Sequence, residues 1–243
     1  MLFWKNKSLL WSNTAPTHKI ACEDTNFSWD YTPFLLLFSQ FLLFFAIFAV
    51  DMITDIHTHN AQTHAQTIET VGIHPWHALE ANLSVIEARV ADVDAIGEIG
   101  LDFACDVPRE VQIAVFRAQL AIAEQHEKAV VLHCVRAFEE VMKVLSDYRL
   151  KAVIFHGFIG SVEQAQRAVA QGFYLSFGER TFRSPKTIEA MRSTPLSHLF
   201  VESDESATPI EEIYDKIATL RGVSVAELMQ ATEANFRRIF PNF

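Results

Sequence analysis

The chain has 243 residues, half of them hydrophobic (50%), with eight glycines and eight prolines, a composition that supports a sizeable core and excludes a disordered or fibrous protein. Its formal net charge of −10 removes the electrostatic basis for coating duplex DNA, because non-specific DNA affinity comes from Lys and Arg displacing counterions. Its three cysteines (Cys22, Cys105 and Cys134) are too few and too odd in number for a disulfide framework, which favours a reducing, cytoplasmic compartment.

Residues 1–51 read differently from the rest. Lys5, Lys7 and Lys19 precede the uncharged run Phe34–Val50, which at seventeen residues sits at the lower limit for a bilayer-spanning helix. This extension reads as a signal anchor, a cleaved signal, or translated upstream sequence with Met52 as the functional start. The last is favoured, because Met52-Ile53-Thr54-Asp55 leads directly into a strand that carries chemistry. Membrane association is expected only if residues 34–50 are a genuine anchor. The expected catalytic domain is 52–243.

From Met52 onward, short apolar runs alternate with amphipathic stretches. Ile53–His59, Ile68–Ile73, Val93–Leu101, Ala129–Cys134, Lys151–His156, Gly172–Phe177 and Ser197–Glu202 read as strands, mostly as continuous apolar runs of the kind buried on both faces of a parallel sheet. Pro108–Lys128, Glu139–Tyr148, Val162–Gln171 and Pro209–Leu220 read as helices. In the first, Pro108 suits the opening turn, and Val111, Val115, Ala118 and Ile122 form an apolar stripe with Ile113, Phe116 and Leu120 beside it. Ser161 and Thr208 are expected N-caps. Alternating strands and helices imply right-handed crossovers and a parallel sheet, either an open doubly wound sheet or a closed barrel. No G-x-G-x-x-G follows the first strand, so nothing favours a dinucleotide crevice.

Potential metal ligands cluster at the ends of these strands. His57 and His59, two apart, share one face of an extended segment. Glu98 lies among apolar residues between Gly97 and Gly100, where an isolated charge would be very costly. His133, His156 and Asp204 follow other strands. Each alone has a structural explanation, as a satisfied core histidine or a helix cap. Together they occupy the C-terminal mouth, where barrel enzymes carry their catalytic groups. Mixed imidazole and carboxylate donors suit Zn²⁺, Mn²⁺ or Fe²⁺, with Mg²⁺ acceptable where carboxylates and water dominate. The donor set is large for one catalytic ion and suits two.

The series Asp55-Ile56-His57-Thr58-His59, Gly72-Ile73-His74-Pro75, Gly97-Glu98-Ile99-Gly100-Leu101-Asp102, Leu132-His133, Phe155-His156-Gly157-Phe158 and Glu202-Ser203-Asp204 resembles the TatD family of metal-dependent deoxyribonucleases, within the amidohydrolase-like TIM barrels. Residues 232–240 resemble that family's C-terminal helix. The resemblance implies a TIM-type β/α barrel with two divalent ions (Mg, Mn or Zn). His57, His59 and Asp204 would hold one ion, His133 and His156 the other, and Glu98 would bridge them. It implies that Asp204 and Glu98 are the catalytic carboxylates, that His74 and Arg136 contact substrate phosphate, and that an activated water cleaves phosphodiesters in a DNA end or a small phosphate ester. Ser203 replaces the family's threonine, and Pro209 comes later than the family's proline. Only twelve residues separate His59 from Gly72, where relatives fit a helix, a strand and another helix. The barrel is therefore expected to be incomplete, or to have seven strands.

Two rival functions share these residues. The wider superfamily includes lactone, amide and deamination chemistry, for which fold analogy is no discriminator. No lysine suited to carbamylation ends a strand, and Lys151 begins one, which favours the nuclease branch. The other rival is a non-catalytic metal-binding barrel. Cys134 is expected to face away from His133, and His64, His77, His126 and His198 to be surface or supporting residues.

Overall fold

The computed structural model describes residues 52–60 and 63–243; the extension 1–51, with its apolar run, lies outside them. Six parallel strands form one sheet in sequential order: β1 (Thr70–Val71), β2 (Ala95–Asp102), β3 (Ala129–Val135), β4 (Val153–Phe155), β5 (Tyr174–Phe177) and β6 (Leu199–Val201). Seven α-helices accompany them among the described residues: α1 (Ser84–Arg89), α2 (Arg109–Gln125), α3 (Phe138–Leu145), α4 (Val162–Ala170), α5 (Pro185–Ser193), α6 (Ile210–Arg221) and α7 (Val225–Ile239). None of the described helices is long and apolar enough to cross a membrane.

The expected first strand, Ile53–His59, does not form a full ladder. It makes isolated parallel bridges on both sides, Thr54 to Gln66 and Thr58 to Asp204. On the β6 side, Ile56 N–H donates to the Val201 carbonyl (3.1 Å), Asp204 N–H to His57 (3.0 Å) and His59 N–H to Asp204 (3.0 Å). On the other side, Asp55 N–H donates to the Gln66 carbonyl (2.9 Å) and Gln66 N–H to Ile53 (2.8 Å). Gln66 lies just before β1, so this segment joins the first and last edges of the sheet. A short staple takes the place of a seventh full strand and bridges the β6 side of the sheet to the residues that lead into β1.

The core has two layers. Ile96, Val130, Leu132, Val153, Phe155, Leu175, Phe177, Leu199 and Val201 pack outward against the helices. Their strand neighbours Ala95, Ala129, Val131, Ile154, Tyr174 and Phe200 join Ile56 in a second cluster that also takes in Phe236, Ile239 and Phe240. This alternation is the period-2 signature of strands buried on both faces. The end of α7 thus plugs the base of the ring. Tyr214 on α6 ties this base to the staple: its buried hydroxyl donates to the Thr54 carbonyl (2.7 Å) and lies 2.9 Å from Thr232 Oγ1 on α7.

Helix ends follow local chemistry. Ser161 caps α4 in a reciprocal capping box with Gln164, as expected. Thr208 does not cap α6; Pro209 occupies the N-cap position with extended backbone and no side-chain hydrogen bond. Pro108 likewise precedes α2 instead of opening it. Of the expected apolar residues on α2, Phe116, Leu120 and Ile122 are buried while Val111, Ile113, Val115 and Ala118 are half-buried, and Gln112, Gln119 and Ala123 complete the buried face. Gln112 exchanges two hydrogen bonds with the Asp102 backbone, both 2.8 Å, and Gln119 clamps the Ile73 N–H (2.6 Å) and carbonyl (3.0 Å). These buried amides satisfy backbone groups at strand ends that no ladder reaches.

Candidate metal centre

A register shift in β2 aims Glu98. Ile96 and Ile99 both pack outward, although three residues apart, because the β2–β3 register slips between them. In an unbroken strand Glu98 would share the parity of Ile96 and face the helices. The shift turns it inward instead, the common use of a bulge beside a functional site. The neighbouring glycines permit the close approach of β3. A Cβ on Gly100, whose φ is +136°, would fall 2.1 Å from the His133 carbonyl oxygen, and one on Gly97 would fall 2.7 Å from Val131 Cβ.

The two oxygens of Glu98 face different imidazoles. Oε1 lies 3.0 Å from His57 Nε2 and 3.2 Å from His59 Nε2. Oε2 lies 2.8 Å from His156 Nε2, 3.7 Å from His133 Nδ1 and 4.0 Å from His74 Nε2. Asp204 Oδ1 completes the first side at 3.9 Å from His57 and 3.6 Å from His59. All six sequence-predicted ligands therefore surround one point at the C-terminal mouth. His57, His59 and Asp204 form one group of potential ligand atoms within metal-binding reach; His57, Glu98 and His156 form a second, and His74, Glu98 and His133 a third.

The donor chemistry fits a cation. His57 Nε2 and His156 Nε2 are buried yet make no well-angled hydrogen bond, although each lies within 3.0 Å of a Glu98 oxygen. Lone pairs converging on one point beside a carboxylate are poor hydrogen-bond geometry and good ligand geometry. Burial would push the Glu98 carboxyl up, but the close imidazoles of His133, His156 and His57 outweigh it and hold the group far below the usual carboxylate range. His74 behaves oppositely: burial and the neighbouring His133 lower it to about 4, keeping a neutral donor at the mouth. Burial raises the Asp204 carboxyl, and the nearby Glu202 adds to the shift.

Three buried carboxylates that the sequence reading had not assigned support these ligands. Asp102 Oδ2 lies 3.2 Å from His133 Nε2 and accepts a hydrogen bond from Trp76 Nε1 at 2.7 Å. Glu202, 1% exposed, sets Oε1 3.7 Å from His156 Nδ1. Asp55 accepts from Ser203 N–H (2.9 Å) and Ser203 Oγ–H (2.6 Å), fixing the loop that carries Asp204, and burial pushes its carboxyl up to about 6. Outer carboxylates of this kind orient metal-binding imidazoles, and their loss typically costs about 10–100-fold in metal affinity. Asp102→Ala is accordingly expected to weaken metal binding by about that factor, read as a shift in the metal titration midpoint. An unchanged midpoint would exclude this support.

Arg136, exposed at a φ of 52°, lines a cavity of about 730 Å³ beside the centre together with Arg109, Arg180, His133 and His156. The centre itself opens into an adjoining cavity of about 500 Å³, lined by His59, His74, Trp76, Glu98, Asp204 and Arg180 among others. Cys134 packs against the outer core, and burial pushes its thiol up to about 12, so it offers no nucleophile. Lys151 sits at the opposite end, its Nζ 6.0 Å from the Phe240 ring. His64, His77 and His126 are exposed, and His198 stacks on Tyr174.

Known proteins resemble this chain in sequence and in fold. The metal-dependent hydrolase YabD of Bacillus subtilis, itself uncharacterized, is 33% identical over 193 residues, covering 70% of this chain and 76% of that protein. The 3'-5' ssDNA/RNA exonuclease TatD of Erwinia tasmaniensis is 31% identical over 201 residues, covering 70% and 77%. The crystal structure of YjjV, a TatD homologue from Escherichia coli, superposes with a TM-score of 0.65 at 27% identity, covering 71% of this chain and 76% of that one. The family profile described as TatD related DNase matches residues 47–241, and with a parallel barrel-type sheet and His, Glu and Asp donors gathered at its mouth, the chain belongs to that family of metal-dependent hydrolases.

Proposed function

We propose that this chain is a nuclease that hydrolyses phosphodiesters at a DNA end or in a small phosphate ester, using two divalent ions (Mg²⁺, Mn²⁺ or Zn²⁺). The observation that carries the proposal is the division of Glu98 between two groups of imidazoles, one on each oxygen. In this reading His57, His59 and Asp204 would hold one ion, His133 and His156 would hold the other, and Glu98 would serve both. When bound, such ions supply Lewis acidity and make water acidic enough to react near neutral pH.

The chain's own residues do the rest. Glu98 fixes the spacing of the two ligand groups. Asp204, at the mouth beside His57 and His59, takes the proton of the attacking water; burial raises its carboxyl above the ordinary range and so strengthens it as a base. His74 and Arg136 border the centre and orient the substrate's phosphate. The exonuclease activity in the name of the Erwinia relative supports this substrate class. Residues 52–243 are proposed as the catalytic unit, and the unbridged thiols of Cys105 and Cys134 fit a cytoplasmic setting.

Chelation should abolish hydrolysis of single-stranded DNA, and added Mg²⁺ or Mn²⁺ should restore it. The same preparation should leave lactones and simple amides uncleaved. Hydrolysis of a lactone or an amide but not of DNA would move the protein to another branch of the superfamily, and stable metal binding with no turnover of any of them would make it a binding protein.

A further inference from the structure

Trp76 is unusual among the exposed residues of the described part of the chain. It is 57% exposed, opens the short 3-10 helix Pro75–Glu80 together with Pro75, and lines the cavity that holds Glu98 and Asp204. A lone exposed aromatic residue is ordinary on a protein surface. This one is anchored. Its indole N–H donates to Asp102 Oδ2 at 2.7 Å, and its ring meets that of His74 edge to face, with centroids 4.7 Å apart. The polar edge is tied into the supports of the metal centre while the apolar surface remains open to solvent. Leu79, 65% exposed, follows one 3-10 turn later, and i and i+3 side chains eclipse in such a helix, so the apolar strip extends away from the centre.

Building on the nuclease reading above, we propose that Trp76 is the stacking platform for a base adjoining the scissile phosphate of a single-stranded polynucleotide. Three observations converge. The ring lies at the mouth where the phosphate is to be cleaved. Its orientation is fixed before substrate arrives, so little ordering entropy is lost on stacking. The chain carries a net charge of −10 and has little general attraction for a phosphate backbone, whereas stacking on an aromatic ring is independent of charge and tolerant of sequence. Duplex ends, whose bases are already stacked and paired, gain less from such a platform than single strands.

The test compares full-length wild type, Trp76→Leu and Trp76→Phe, each loaded with Mn²⁺. The substrates are a single-stranded DNA oligonucleotide and the same strand ending in abasic residues. Trp76→Leu should raise KM for the base-bearing strand by about 5- to 100-fold, the range one base–aromatic stack provides, with kcat within about twofold. KM for the abasic-ended strand should not change, and Trp76→Phe should keep most of the affinity. A phosphorothioate oligonucleotide should quench tryptophan emission in wild type, and its abasic-ended counterpart should not. Equal KM changes on both strands, or loss of bound Mn²⁺ with a common fall in kcat, would reduce Trp76 to a prop for Asp102 and overturn the proposal. If wild type cleaves neither strand the nuclease reading fails, and the quench then decides alone: base-dependent quenching that Trp76→Leu abolishes upholds stacking, and quenching that is absent or survives in Trp76→Leu, which keeps Trp4, Trp11 and Trp29, ends it.

Discussion

Replacing Glu98 with alanine should lower hydrolysis by more than about 10²-fold, exceeding the 10–100-fold typical for an outer support of a metal ligand. The reason is geometric. Glu98 presents Oε1 to His57 and His59 and Oε2 to His133 and His156, so its two oxygens serve both groups of imidazoles. Losing it would remove a donor from both sides and, on the two-ion reading proposed above, the negative charge that would make two adjacent cations tolerable. Bound metal per chain, measured by elemental analysis after gel filtration, should fall with activity. Glu98→Gln keeps the shape and one oxygen donor, so it should retain more metal than alanine while still losing most activity. Full activity in Glu98→Ala would rule out a bridging role.

The largest stability effect should come from the opposite end of the ring. Phe236→Ala should cost about 3–5 kcal/mol, as for large aromatic deletions from well-packed cores. Phe236 is completely buried on α7, with its ring centroid 5.0 Å from those of both Phe240 and Phe243, and it belongs to the cluster that closes the barrel base with Phe200 and Ile154. Against a typical total of about 5–15 kcal/mol, such a loss would leave the fold marginal. Urea denaturation followed by circular dichroism, with metal removed by chelator, reads the effect without the stabilisation that bound ions add. Leu79→Ala, at a position 65% exposed, serves as the control and should change stability by no more than about 0.5 kcal/mol. Similar midpoints for the two variants would show that α7 is not an integral plug.

What was legible in the sequence follows from the range of the forces involved. β3 lies where the apolar run Ala129–Cys134 predicts it, within one residue, because burial on both faces leaves a compact hydrophobic signature. Ser197 and His198 were expected in β6 but form a 3-10 turn after Pro195, whose fixed φ suits a turn better than a central ladder. Helix α5 was overlooked although Ser184-Pro185 states its start plainly: Ser184 Oγ accepts the Thr187 N–H, and proline fills the first helical position. The six candidate ligands, which the fold brings together, stood out in the sequence because a donor at a strand end is a local pattern. Their supports did not. Asp55 meets Ser203 across 148 positions, and Trp76 meets Asp102 across 26, pairings that only the closed ring creates. Nor does simple alternation along β2 reveal that Glu98 turns inward, because the slip beside it depends on how β3 pairs.

The staple at residues 53–59 ties architecture to chemistry. Its backbone joins the two edges of the sheet, and its side chains include His57 and His59, while Asp204 both exchanges backbone hydrogen bonds with it and faces the same imidazoles. The clasp of the hoop and the grip on the cargo are thus one strip of polypeptide. A cation seated between His57, His59 and Asp204 would act as a rivet through the seam, so the narrowest part of the wall would be tightest when the catalyst is armed.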